Sequence, residues 1–98
     1  MSDYRKLQEE YFPILETYTL AITRAHGKHH PETFEVHHLF EEIKKKTQLE
    51  PASDLSKQYQ KIHQLTDNYQ IPADACPTMK ATYEMLAELE TAYNDQRQ

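Results

Sequence analysis

Five of the chain's six histidines fall between His26 and His38, in the stretch AHGKHHPETFEVHHLFEEI, with Glu32, Glu35, Glu41 and Glu42 among them. Imidazoles and carboxylates carried on helices are what a metal site is built from. A site requires three or four of these side chains to converge on one ion. His37 and His38 flank the apolar positions Val36, Leu39, Phe40 and Ile43, and at 100° per residue His37 lies well round towards solvent. Both pair at i,i+4 with Glu41 and Glu42, a common surface arrangement. His26, His29 and His30 surround a helix–helix turn too short to fold back freely, and the dipole and open carbonyls of a helix C-terminus already favour His26. No metal site or other cofactor is therefore expected. The residues that come nearest to a Zn or Ni site are His26, His29, His30 and Glu32. His63 is read as a boundary residue beside the third apolar stripe.

Other chemistry is thinner. Cys76 precedes a helix start, where the dipole can lower a thiol pKa, yet it has no motif or second thiol and reads as a packing cysteine. One glycine cannot make a phosphate-cradling loop, and no serine nucleophile motif is present. These readings imply no enzyme.

The elements that must carry these residues are four amphipathic helices. Tyr4, Leu7, Tyr11, Ile14, Leu15, Tyr18, Ala21 and Ile22 recur at three- and four-residue steps and predict a helix over about 2–25, capped by Ser2 or Asp3. Pro13 inside it predicts a kink, with two shorter helices as the alternative. Gly27 is expected to end this helix in left-handed backbone, and Pro31 to open the next, about 31–47. Ser53 or Asp54 caps a third helix, about 53–68, with the stripe Leu55, Tyr59, Ile62 and Leu65 or Thr66. An irregular connection from Tyr69 to Cys76 leads to a fourth helix, 77–96, with stripe residues Met79, Tyr83, Leu86, Leu89 and Tyr93. The fold class is all-α: one domain over 1–98, a small antiparallel up-down-up-down four-helix bundle.

Ninety-eight residues with 38% hydrophobic and 28% charged side chains support a thin core, so self-association or a protein partner is expected to cover leftover apolar surface. The net charge of −5 argues against nucleic acid and anionic membrane surfaces. Lys44, Lys45 and Lys46 are the only basic run and are expected to complement a helix C-terminus. A single cysteine, a polar N-terminus and no membrane-length apolar run point to the cytoplasm.

Three stretches, YFPILETYTLAITRAHGKHHPE, VHHLFEEI and KIHQLTDNYQIPADACPTMKATYEMLAELE, resemble the hemerythrin-like domain of the bacterial RIC (ScdA/YtfE-type) proteins, which repair iron–sulfur clusters. The resemblance is carried by His26-Gly27 with His30-Pro31-Glu32, by Leu65-Thr66-Asp67-Asn68, and by Asp74-Ala75-Cys76, and it spans almost the whole chain in pieces. It implies a four-helix bundle that in the family holds a di-iron centre, bound by histidines and glutamates of all four helices. It also implies that the ligands are missing here. The first-helix ligand falls at Arg5, the third near Ala52 and the last near Gln96, with the chain ending before the glutamate that follows. The second-helix ligand segment, expected beyond Glu42-Ile43, is replaced by Lys44-Lys45-Lys46 and a loop. The resemblance thus implies a shortened, metal-free, non-catalytic module, with iron or nitrosative stress as context by analogy. Iron–sulfur cluster repair or metal binding through a non-standard His/Glu site, or assembly with a full-length paralogue, are the alternatives.

Overall fold

The computed structural model describes residues 3–96, all four elements are α-helices, and no strand occurs among the described residues. The helices are α1 (Tyr4–His26), α2 (Glu32–Leu49), α3 (Ser56–Leu65) and α4 (Pro77–Gln96). No described helix is long and apolar enough to cross a membrane. The Cα radius of gyration, 12.7 Å, matches the roughly 13 Å of a single packed unit of about 100 residues.

Asp3 starts α1, its Oδ1 accepting from the Arg5 N–H at 3.1 Å; Ser2, the other candidate cap, lies outside the described residues. The helix then runs unbroken through Pro13. Pro13 and Glu9 are both exposed, so water can take the Glu9 carbonyl that the ring leaves without its intrahelical donor. The two-helix alternative is thereby excluded. The buried stripe is rotated from the one expected: Tyr4, Phe12, Leu15, Thr19, Ile22 and Thr23 are buried, whereas Ile14 is 38% exposed.

Gly27 is not left-handed. Its φ and ψ are −57° and −29°, and what requires glycine is space. A Cβ there would lie 2.3 Å from the Thr23 carbonyl oxygen and 2.6 Å from the Phe34 ring. Pro31 stands at the N-cap of α2 rather than in its first turn, one position earlier than expected. Val36, Leu39, Phe40 and Ile43 are all buried as the period requires.

α3 is shorter than expected at 10 residues, and α2 is longer at 18. Asp54 supplies the turn into α3 by accepting from the Ser56 N–H at 3.0 Å, while Ser53 donates to the Lys46 carbonyl at the end of α2. α3 stops at Leu65 because Asp67, Asn68 and Tyr69 all take left-handed backbone, with φ of 51°, 62° and 59°. Such a run costs non-glycine residues energy. Thr66 holds it, its hydroxyl donating to the Ile62 carbonyl at 2.8 Å and accepting from the Tyr69 N–H at 2.9 Å. Of the stripe alternatives Thr66 is buried and Leu65 exposed. Cys76 is half-buried, and its sulfur accepts from the Met79 N–H at 3.4 Å, as a cap on α4.

α1 packs on α2 and α4, α2 on α3, and α3 only lightly on α4. Phe12 and Phe40 meet edge-on at 5.3 Å, Lys44 pairs with Glu16 at 2.8 Å, and Tyr11 donates to Glu88.

Candidate functional site

The histidine turn is drawn together by a residue far away in sequence. His30 leaves the α1–α2 turn, and its Nε2 lies 2.8 Å from Asp74 Oδ1 in the α3–α4 connection, while its Nδ1 lies 3.3 Å from Glu32 Oε2. The hydrogen bond to Asp74 raises the imidazole pKa above its ordinary value, and the same bond holds the Asp74 carboxyl below its own. The group is a clasp between two connections. Both nitrogens of His30 face carboxylates, so the ring is committed to ion pairing rather than to an open lone pair.

The other residues singled out at this turn do not join a ligand shell. The His26 ring is centred 6.2 Å from that of His30, and its Nε2 is buried without a hydrogen-bond partner among the described residues. The terminal carbonyls therefore do not receive it there. His29 is exposed. Among the described residues no three His, Cys, Asp or Glu side chains gather so as to hold a metal ion.

His37 does not face solvent as its spacing suggested. Its Nδ1 lies 2.9 Å from the buried Thr19 hydroxyl of α1, with Glu41 Oε1 3.9 Å from its Nε2. A polar residue in the α1 stripe invites the ring inward, and α2 read by itself cannot show that. His38 is exposed. His63 is at a boundary, its Nδ1 2.9 Å from Glu90 Oε1 of α4 and its ring edge-on to Tyr69 at 5.6 Å.

The opposite end of the molecule holds three residues that lie at or near positions the RIC resemblance assigns to metal ligands. Arg5, Ala52 and Gln96, far apart in the chain, line a single depression of about 390 Å³ together with Tyr4 and Thr47. Beneath it Tyr4, Tyr59 and Tyr93 pack ring against ring, with Tyr93 centred 5.3 Å from each of the other two. The Tyr4 and Tyr59 hydroxyls share a 2.7 Å hydrogen bond, and Tyr93 accepts from the Leu55 N–H at 2.7 Å. Burial pushes the Tyr4 phenol up to about 12 and holds that of Tyr59 well above its ordinary value, so both remain neutral.

No family model, no curated protein and no solved structure matches this chain.

Sequence reasoning found His30 and Glu32 but missed Asp74 as the partner of His30, because a loop residue 44 positions away leaves no periodic signal. It placed Tyr4, Tyr59 and Tyr93 on their stripes, and the shared apolar face of each helix was the available sign that they would meet.

Proposed function

We propose that this chain is a metal-free, non-catalytic helical module related to the RIC iron–sulfur cluster repair proteins, acting in the cytoplasm by binding a protein partner or by self-association. One observation carries the reading: Arg5, Ala52 and Gln96, which stand at or near ligand positions by resemblance alone, gather around one depression. The start of α1, the α2–α3 connection and the end of α4 share one end in an up-down-up-down bundle, and the meeting of these three residues accords with that course. These three side chains offer no imidazole or carboxylate, Glu9 is the one carboxylate lining the depression, and three tyrosine rings pack together beside it.

The pairings support an antiparallel up-down-up-down course. The start of α1 meets the end of α4 through Tyr4 and Tyr93, and Phe12 and Thr19 of α1 meet Phe40 and His37 of α2 in reverse order. Similarly, Tyr59 and His63 of α3 meet Tyr93 and Glu90 of α4. Ile14, Leu20, Phe34, Leu49 and Leu65 remain exposed on the surface.

The test is iron content and absorption of the protein purified from iron-replete cells. The proposal expects far less than one iron per chain and no oxo-bridged absorption band. Stoichiometric iron with that band overturns it.

A further inference from the structure

A second depression, of about 250 Å³, opens beside the His30 clasp between the start of α2 and the turn that follows α3. Tyr83 of α4 lines it and is only 1% exposed, and its hydroxyl has no hydrogen-bond partner among the described residues. A buried hydroxyl left without a partner costs about 1–3 kcal/mol, so Tyr83 marks a place where a polar group is wanted. Glu32 and Asp67 line the same depression, and Leu65 and Pro72 give it an apolar rim. We propose that this depression binds the head of an alkylguanidinium or alkylammonium ion, supplied by a free small amine or by an arginine or lysine side chain of a partner.

The charge balance selects a cation. Glu32 and Asp67 at the depression and Asp74 at its edge outnumber the single imidazole of His30. The His30 imidazole, paired with both Asp74 and Glu32, balances at most one of these three carboxylates, so the site stays negative and an anion is repelled. The Tyr83 hydroxyl stays neutral, because burial and the nearby Glu32 charge push its phenol up to about 12, and its lone pairs can accept. A multi-donor cation suits Tyr83 and Glu32 together, since both can take an N–H. The rim fits the methylene stem that such a head group carries, as long basic side chains cover apolar surface with their stems. Leu65, exposed among polar neighbours at the end of α3, then acquires a role. The volume admits a head group and a few methylenes. The walls are fixed in advance by the Thr66 hydrogen bonds and by the His30–Asp74 pair.

The experiment is amide NMR titration of the whole 98-residue protein with agmatine and with N-acetyl-arginine methylamide at low salt, using butyrate as the anionic control. Saturable shifts are expected at residues 30–32, 65–72 and 83, with Kd of about 1 mM for so small a ligand and none from butyrate. Response to agmatine alone assigns a free amine, and response to the capped arginine as well assigns a partner's side chain; either supports the site. Tyr83→Phe and, on the rim, Glu32→Gln are each expected to weaken binding about fivefold or more. Glu32→Gln leaves the core untouched and keeps the test decisive if Tyr83→Phe alters packing. The absence of saturable shifts from both probes, or affinity indifferent to both substitutions, overturns the proposal and leaves a depression that holds only water.

Discussion

His30 carries a carboxylate on each side of its ring, and the two shifts it shares with Asp74 set a pH window. The His30 pKa is raised above 6.5, so its stabilising contribution is complete below that value and is lost as pH rises through the folded-state value. The Asp74 pKa is lowered below 3.8, so its contribution is complete above that value and is lost as pH falls through the lower one. Asp74→Asn should therefore lower Tm most between about pH 3.8 and 6.5, with the gap to wild type closing on both sides. A gap constant from pH 3 to 9 would contradict the clasp. At the tyrosine end, Tyr93→Phe removes the acceptor of the buried Leu55 N–H. Urea unfolding should show a loss of about 1–3 kcal/mol, because the orphaned donor remains in the interior.

Among the helices, α1 holds two residues whose effects run against simple propensity. Gly27 has helical backbone, where alanine would ordinarily gain about 1 kcal/mol. Here the Cβ meets the Thr23 carbonyl, which cannot yield without giving up its place in the helix; the Phe34 ring, half exposed, can swing aside. Gly27→Ala should destabilise by about 1–3 kcal/mol in chemical denaturation, and a gain would show that the helix end gives way freely. Pro13 is exposed and breaks no packing. Pro13→Ala restores a donor to Glu9 and should raise stability by up to about 3 kcal/mol. Helix stripes were legible in the sequence where buried threonines only flank the apolar stripe: every expected stripe residue of α2 and α4 is buried, with Thr33, Thr47 and Thr82 beside them. Legibility failed where polar residues turn inward. Thr19 rotates the α1 stripe and captures His37, and Thr66 with three left-handed non-glycine residues ends α3 early. Neither effect has a glycine or proline to announce it.

Over the whole molecule the core is continuous, and its two ends differ in kind. One end is closed by hydrogen-bonded tyrosine rings beneath Arg5, Ala52 and Gln96, and the other by a histidine–carboxylate clasp beside an unsatisfied Tyr83 hydroxyl. The thinness of α3 against α4 makes that seam the place where packing must be helped by Tyr93 and by the His63–Glu90 pair. Most chemistry-bearing residues could be named from sequence, but which of them meet is decided by the tertiary course, as His30 with Asp74 and His37 with Thr19 show. The central claim is a metal-free module that works through protein contacts. Native mass spectrometry of protein purified from iron-replete cells tests it most directly, because copy number and bound metal are read from one spectrum. The account predicts chain masses free of iron, as a homo-oligomer or with a captured protein; a monomer heavier by two iron atoms would contradict it.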